Sequence, residues 1–357
     1  MKSLTLLFKA DLEGRNLTAD LIKGIAVVLM FAVHLSELIA ESSFYTSQAV
    51  TQTLFVLRPR GAPLFMAVMG YFLGGRKRPL STGIKRGLAL ILSGILLNIS
   101  LNASLLYKIV AGESFLNPWH FILGADILPL AGLSVMVIAL FRHYAKDNLW
   151  LGAAVLMLVV LINELLPRGV QYESEVFRYF MVFIFSNDYW SYFPLFPWLV
   201  YPFAGYLFRI AEPRLQISPL MIKLLPFLLL LLFLAGAGLV YNDIAQLKLW
   251  YHHRWNVVIW NFLFFAGYIP LIHLIAAFFK ENGLLLWISW LGKYVTVAYV
   301  VQWIIIGNAG TYFYKSVPAE WLVLWFAGVS LAVTGFIFVY KIFRNRKAGT
   351  KKDSART

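Results

Sequence analysis

Runs of about 20 apolar residues recur along the whole chain, and this is the length that a helix needs to cross the hydrocarbon core of a bilayer. The chain has 357 residues, of which 60% are hydrophobic and 17% aromatic. Only 13% are charged, whereas soluble domains have roughly 25%. These features exclude an ordinary soluble enzyme and predict an all-α polytopic membrane protein.

Ten candidate membrane spans can be placed on the apolar runs. They cover residues 21–40, 54–74, 87–107, 121–141, 148–166, 190–210, 222–242, 256–279, 284–308 and 319–342. The gaps between them leave no room for a separate soluble domain, so residues 1–343 are expected to form one integral membrane domain. Residues 344–357 are rich in basic side chains, and we expect a disordered cytoplasmic tail near anionic lipid headgroups.

The net charge of +14 is distributed unevenly along these spans. Arg58 and Arg60 lie at the outer end of the second span. The basic residues in the predicted outer loops are Lys108, Arg168, Arg178, Lys248, Arg254 and Lys315. All the others lie on the inner side, and cytoplasmic segments are the ones enriched in Lys and Arg. We therefore place both termini in the cytoplasm and expect a lipid bilayer, with no nucleic acid, as the partner of this charge.

The sequence gives no indication of a metal site. It contains no cysteine, which excludes disulfides, thiolate zinc sites and a cysteine nucleophile. The adjacent pair His252 and His253 has no carboxylate at the spacing of metal ligands. No metal ion is therefore predicted.

The first span carries three ionisable side chains, and such residues inside a membrane usually face a cavity or a partner. Lys23 lies near its start, with His34 and Glu37 in its outer half. His34 and Glu37 are three residues apart and so share one helix face. A neutral histidine there can take a proton from a hydroxyl or amine and return it to a leaving thiolate. The alternative is a histidine that only stabilises helix packing through a hydrogen bond.

Other ionisable groups are predicted to surround this face. The guanidinium groups of Arg58 and Arg60 can neutralise a phosphate, a carboxylate or a developing oxyanion, or can simply extend to the outer headgroups. Asp126 lies deeper in the fourth span, which begins near His120. It can orient His34 or His120, or form an ion pair with either arginine, and that pair can be catalytic or purely structural.

The inner loop between the second and third spans carries a cluster of positive charges. Arg76, Arg78, Lys85 and Arg86 are the residues expected to bind the phosphates of a nucleotide-like donor such as coenzyme A. The same charges would also be expected if the loop only fixed the orientation of the chain in the membrane.

Aromatic side chains crowd the outer entrance to the sixth span, from Tyr189 through Trp190 to Phe193. Trp190 is a candidate to stack on a sugar ring. An aromatic belt at the membrane interface produces the same pattern without any ligand.

Several short motifs resemble those of the membrane-bound acyltransferase-3 family. The stretch from Arg15 and Asp20 through Lys23-Gly24-Ile25-Ala26 to His34 is similar to the opening motif, in which ten residues separate a basic residue from a histidine. Residues 62–73 resemble the next landmark of the superfamily, and residues 291–299 the late motif. Residues 188–206 are similar to the branch related to heparan-alpha-glucosaminide N-acetyltransferase.

The resemblance implies a multi-helix enzyme that moves an acyl group, usually acetyl, from cytoplasmic acyl-CoA to a hydroxyl or amine of a glycan or lipid-linked sugar. Acyl-CoA would be a cosubstrate, with no tightly bound cofactor. The resemblance implies His34 as the catalytic histidine and Lys23 as its basic partner. Gln302 stands where relatives often carry histidine, and we expect it to contact substrate. A bacterial inner membrane is the expected location.

A proton-coupled transporter or lipid flippase remains the alternative. The same His, Glu, Asp and Arg side chains could form a substrate path through the membrane. Transporters often contain two related halves, and the sequence has no strong internal repeat. This difference favours the enzyme.

Overall fold

A computed structural model describes residues 16–167, 172–215, 219–244, 246–279 and 282–353 of the chain. Arg15 and Arg168, which enter the sequence interpretation, lie outside the described residues. The first helices are α1 (Leu17–Leu38), α2 (Ser42–Tyr45), α3 (Gln48–Leu57), α4 (Ala62–Gly74), α5 (Leu80–Leu101), α6 (Ala103–Val110), α7 (Pro118–Ile122), α8 (Ile127–Ala145) and α9 (Leu149–Leu165). They are followed by α10 (Glu175–Ile184), α11 (Leu195–Trp198), α12 (Val200–Ala211), α13 (Pro219–Ala235), α14 (Ala237–Ile244), α15 (Leu247–Tyr251), α16 (Trp255–Phe278), α17 (Gly283–Lys293), α18 (Val295–Tyr312) and α19 (Leu322–Asp353).

The predicted all-helical class is confirmed. Apart from an isolated bridge between Ala40 and Val317, the described part of the chain contains no β structure. Within that part, five helices are long and apolar enough to cross a membrane: α1, α5, α8, α16 and α19. The count rises to seven if each of the bent pairs α13/α14 and α17/α18 is one span. The chain is therefore an integral membrane protein.

The predicted count of ten spans is not confirmed, because several apolar runs are interrupted. The run at 54–74 is divided between α3 and α4 by a 3-10 turn at Arg58–Arg60, and the run at 190–210 is divided between α11 and α12. Prolines lie at both interruptions. A proline breaks a helix because it has no N–H to donate and clashes with the preceding turn. The α17/α18 pair bends by 85°.

The last helix, α19, continues beyond the predicted tenth span and ends at Asp353. The first part of the segment predicted as a disordered tail is thus helical in the structure, and residues 354–357 lie outside the described residues.

Both ends of the described chain lie at the same end of the bundle. Lys293, which ends α17, lines a pocket together with Asn16, which caps α1. The ring of the next residue, Tyr294, lies 6.3 Å from that of Tyr340 in α19. At the opposite end, the bridge between Ala40 and Val317 joins the end of α1 to the segment before α19. This arrangement agrees with termini on one side of the membrane, although which side stays a prediction.

Glycines bring three helix pairs into backbone contact. A Cβ added at Gly24 of α1 would overlap the carbonyl of Ile288 in α17, and one added at Gly70 of α4 would overlap the carbonyl of Pro202 in α12. Gly87 similarly brings α5 against α8. Between apolar helices in lipid, such close packing supplies much of the association energy.

We expect Gly70→Ala to lower the unfolding temperature, since an extra methyl group in a tightly packed contact costs about 1–3 kcal/mol. Gly328→Ala in α19 is the matched control, because no atom lies within 4 Å of the added Cβ. That change should be neutral or stabilising, as glycine is a poor helix former. Thermal unfolding of both variants in one detergent tests this, and equal unfolding temperatures would contradict the packing described.

Candidate functional site

A pocket of about 440 Å³ opens at the end of the bundle where α1 begins, and we name it the basic pocket. Its lining residues are Asn16, Asp20, Lys23, Met69, Phe72, Leu73, Arg76, Arg86 and Lys293. Its volume falls within the usual range for small-molecule sites. The single acidic residue in the lining, Asp20, pairs with Lys23 at 2.8 Å. The remaining excess of positive charge beside an apolar wall suits an anionic ligand with an apolar part.

The basic pocket brings together some of the residues predicted to bind a donor, but not all of them. Arg76 and Arg86 line it, together with Lys23. Arg78 and Lys85 are exposed and are not among the lining residues.

Lys293 belongs to the basic pocket but was not among the residues predicted from the sequence. It reaches the pocket because α17 packs closely on α1, where a Cβ on Gly292 would overlap the carbonyl of Asp20. The motif at residues 291–299 pointed to this segment without indicating where it would lie.

His34 lies further along α1 and is held on two sides by α18. Its Nδ1 lies 3.2 Å from Oε1 of Gln302, and its ring stacks on Trp303 with 3.9 Å between the ring centroids. The histidine is half-buried, so part of its ring remains accessible. When Nδ1 carries the proton and donates it to Gln302, Nε2 keeps a lone pair, which is the form a general base needs.

Gln302 is fully buried, and its Nε2 has no hydrogen-bond partner among the described residues. Buried polar atoms are nearly always paired with protein or water. The side chain that fixes His34 therefore also has a donor left for a bound molecule or a water.

Glu37 lies one turn beyond His34 and has cationic and tyrosine side chains around it. It interacts electrostatically with Arg58 and Lys315. The Nζ of Lys315 lies 3.8 Å from the centre of the Tyr45 ring. Of the two predicted arginines, Arg58 thus joins the neighbourhood of His34 and Glu37.

Asp126 has different partners from those predicted. Its Oδ2 accepts a hydrogen bond of 2.7 Å from the Tyr299 hydroxyl, and its Oδ1 accepts one of 2.7 Å from the backbone N–H of Ile127. Asp126 is the N-cap of α8 rather than a residue inside a span. Aspartate suits this position because its carboxylate accepts hydrogen bonds from the free N–H groups at the start of a helix. Its hydrogen bonds thus run to a tyrosine and a backbone N–H, where the sequence predicted a histidine or an arginine.

One face of α18 therefore organises the site. Tyr299, Gln302 and Trp303 are three and four residues apart and lie on one side of the helix. Of these, the sequence indicated only Gln302. A signal for Tyr299 and Trp303 is present in the sequence. Both are aromatic residues with a polar group, they are one helical turn apart, and they lie close to Gln302 in an otherwise apolar helix. We name the whole group the His34 site: His34, Glu37, Arg58, Asp126, Tyr299, Gln302 and Trp303.

Aromatic hydroxyls border this site. The ring of Tyr251 lies 5.3 Å from that of Tyr192, and Tyr251 interacts electrostatically with both Glu37 and Asp126. Tyr192 is 39% exposed. The border of the His34 site thus offers flat rings and hydroxyl groups to a molecule that enters from outside the bundle.

Three further predicted residues lie elsewhere. Arg60 donates to the carbonyl of Val56 at 2.7 Å and packs over the ring of Phe264 in α16. His120 lies 2.7 Å from the hydroxyl of Tyr189 and packs against Trp190. Trp190 is buried.

Trp190 and His120 were both predicted to contact substrate, and their surroundings differ. Buried, Trp190 offers no exposed ring, whereas Tyr189 beside it is 57% exposed. Burial lowers the pKa of His120, and the nearby Arg178 lowers it further.

Within the described residues, no three or more His, Asp or Glu side chains are arranged to hold a metal ion.

The two sites lie at different depths along one helix. His34 lies eleven positions after Lys23 on α1, which corresponds to about 16 Å at 1.5 Å per residue. A molecule bound by its charged end in the basic pocket would need an extended, flexible arm to bring a reactive group to His34.

Comparison with known proteins gives one match. The sequence matches the family model described as acyltransferase domain, of the acyltransferase-3 type, over residues 16–341. Searches of curated proteins and of solved structures return no match. The resemblance to the heparan-alpha-glucosaminide N-acetyltransferase branch stays a prediction.

The bond between Tyr299 and Asp126 gives a prediction of stability. Tyr299→Phe would leave one oxygen of a buried carboxylate without its donor, which typically costs about 1–3 kcal/mol. We expect a lower unfolding temperature than in the matched variant Tyr312→Phe, which changes an exposed tyrosine at the end of the same helix. Thermal unfolding in detergent distinguishes the two, and an unchanged Tyr299→Phe protein would show that the bond contributes nothing.

Proposed function

The chain belongs to the acyltransferase-3 family and is a membrane acyltransferase, and on that premise we propose that it takes an acyl group, in the first instance acetyl, from cytoplasmic acyl-CoA. The acceptor is a hydroxyl or amine of a glycan or lipid-linked sugar on the other side of the membrane. The observation that carries this proposal is the presence, on one helix, of a cation-lined pocket at one end and a half-buried histidine in the other half.

The basic pocket is the donor site in this proposal. Lys23, Arg76, Arg86 and Lys293 would bind the phosphates of coenzyme A through charge-assisted hydrogen bonds. Phe72, 41% exposed at the same pocket, offers an apolar surface to the adenine ring. The basic composition of the loop also favours the cytoplasmic side for this end of the bundle.

The pantetheine arm of acyl-CoA connects its phosphates to the thioester. A separation of about 16 Å between Lys23 and His34 is the distance that such an arm would have to cover along α1. The donor would then bind with its charged end in the pocket while the thioester lies within the bundle, away from bulk water.

At the His34 site the reaction is a proton-balanced acyl transfer. Nε2 of His34 removes the proton from the acceptor hydroxyl or amine as its oxygen or nitrogen attacks the thioester carbonyl carbon. The tetrahedral intermediate then collapses, the carbon–sulfur bond breaks, and the proton on His34 passes to the departing thiolate. If His34 is instead a transient acyl carrier, its imidazole nitrogen attacks the thioester carbon and the thiolate departs. The acceptor then attacks the acyl-imidazole, the bond between carbon and the imidazole nitrogen breaks, and the acceptor proton passes to the thiolate.

Charge that develops on the carbonyl oxygen needs a fixed donor. The unpaired Nε2 of Gln302 and the guanidinium of Arg58 are the candidates for this role. Glu37 lies close to Arg58 and Lys315 and would hold their charges in place. Trp303 and Tyr299 would act as positioning residues, through the His34 ring and through Asp126 respectively.

The acceptor would approach from the end of the bundle that carries Tyr192 and Tyr251. Their rings can stack on a sugar, and Glu37 can accept hydrogen bonds from sugar hydroxyls. A bacterial inner membrane is the proposed location. The transporter alternative would use the same polar residues, and the family membership favours the enzyme.

The test of acyl transfer compares wild type, His34→Ala and His143→Ala at equal abundance in membrane vesicles with radiolabelled acetyl-CoA. His143 is an exposed histidine far along the chain from the site, which makes it the matched control. We expect label in the glycan or lipid fraction for wild type and control, and a loss of about 100-fold or more for His34→Ala, as for removal of a general base.

Two results would contradict this proposal. Incorporation that is equal in wild type and His34→Ala would remove His34 from the chemistry. An absence of label in every sample, across acyl-CoA donors of several chain lengths, would instead favour the transporter.

The donor site gives a separate prediction. Arg86→Gln should weaken binding of coenzyme A about tenfold, which is equivalent to roughly 1.4 kcal/mol for a lost charged contact. Lys85→Gln is the matched control, since Lys85 is the neighbour of Arg86 in the sequence but is exposed and lies outside the pocket lining. Equilibrium binding of labelled coenzyme A to the purified proteins measures the difference, and equal affinities for the two variants would contradict a donor site in the basic pocket.

A further inference from the structure

Arg142 of α8 is bonded to the backbone of the loop that carries Arg76. The last four carbonyl groups of a helix have no partner within it. At the end of α4, Arg142 donates to the carbonyl oxygens of Gly74 at 2.9 Å, Arg76 at 2.6 Å and Leu73 at 3.2 Å. One guanidinium therefore binds the final turn of α4 and the first residues of the loop together.

Arg142 is itself held in place by a carboxylate and a tyrosine. Its Nε donates to Oδ1 of Asp147 at 3.2 Å, and the hydroxyl of Tyr206 donates to the same oxygen. The guanidinium carbon lies 5.1 Å from the centre of the Tyr206 ring. Asp147 has a left-handed backbone conformation, with φ of 61°, in the turn between α8 and α9.

A second cluster of an arginine, a tyrosine and a carboxylate lies against the same end of α4. Nη1 of Arg209 donates to Oε2 of Glu212 at 2.6 Å and to the hydroxyl of Tyr71 at 2.9 Å. Tyr71 in turn donates to Oε2 of Glu212 at 2.7 Å. The Arg209 side chain passes so close to Gly74 that a Cβ there would lie 2.7 Å from its own Cβ.

Electrostatics explains why the loop needs such support. Arg76, Lys77 and Arg78 follow one another, and both Arg76 and Arg78 repel Arg86. Without a ligand, like charges at short distance favour movement of the loop away from the pocket. The bonds from Arg142 to the backbone oppose that movement. Asp147 offsets the charge of Arg142, and Glu212 offsets that of Arg209, which packs against the same turn.

We propose that Arg142, supported by Asp147 and Tyr206, is a positioning residue that holds residues 73–76 so that Arg76 faces the phosphates of the donor. Arg209, which is paired with Glu212, packs against Gly74 in the same turn. This inference rests on the proposed donor site, and it adds the residues that determine how well that site binds a phosphorylated thioester.

The guanidinium fork is essential to this role. Its planar array of donors reaches three carbonyls and one carboxylate at once, whereas a lysine ammonium provides a single point of attachment. Arg142→Lys therefore keeps the charge and removes the fixed geometry. Tyr206→Phe is the milder variant, since it removes only the hydroxyl that orients Asp147.

The experiment compares acetyl-CoA with acetyl-pantetheine, which has the thioester arm but no phosphates. With acetyl-CoA, Arg142→Lys should raise KM about tenfold and change kcat by no more than about twofold, as for a loss of binding alone. With acetyl-pantetheine, kcat/KM should equal that of wild type. Tyr206→Phe should shift in the same direction by a smaller factor, and Arg214→Lys, an exposed arginine at the same end of the bundle, should match wild type.

The outcomes separate the inference from the function it rests on. If coenzyme A binds to wild type and Arg86→Gln weakens that binding, but Arg142→Lys and Tyr206→Phe both leave the acetyl-CoA KM unchanged, the positioning role is overturned and the donor site stands. Equal losses with acetyl-CoA and acetyl-pantetheine would reduce Arg142 to a general structural role. If wild type shows no saturable binding of coenzyme A, the donor site and the inference both fail.

Discussion

Close contact between helix backbones at glycines is the constraint on which the basic pocket and the residues that support it depend. Gly24 and Gly292 let α17 lie directly against α1, and this contact brings Lys293 to the basic pocket. Gly70 and Gly205 do the same for α4 and α12, so that Arg209 reaches the last turn of α4. Lipid tails are as apolar as the side chains, so the hydrophobic effect gives little preference for one helix contact over another. Small residues that allow close packing set these contacts instead.

Interrupted helices supply much of the polar chemistry. Arg58 lies in the turn between α3 and α4, and Asp126 caps α8. At membrane depth, irregular backbone is tolerated only where protein or a cavity surrounds it. The breaks therefore deliver their ionisable side chains to the interior of the bundle. There Glu37 on α1 and Tyr299 on α18 are available as partners.

The arginines fall into two groups that differ in how their charge is balanced. Arg142 and Arg209 each contact a carboxylate and a tyrosine, and their donors bind the protein itself. In the basic pocket, Arg76, Arg86 and Lys293 share a wall with one acidic residue, Asp20, which already pairs with Lys23. Concentrated charge of one sign is costly unless a ligand of opposite sign compensates it. The charges of Arg142 and Arg209 are thus compensated within the protein, whereas the cations of the basic pocket outnumber the acidic residue that faces them.

The sequence alone determined the helical membrane class, the family, and the placement of Lys23, His34 and Glu37 along one helix, because hydropathy and helical period are properties of neighbouring residues. Only the tertiary structure decided the partners. It joined Asp126 to Tyr299 across 173 residues and placed Lys293 in the same pocket as Lys23. It packed Arg60 over Phe264 and buried Trp190. It also divided apolar runs that looked like continuous spans. Such outcomes depend on how helices distant in sequence pack and on the direction each side chain takes at the contact, and neither is encoded in a local pattern.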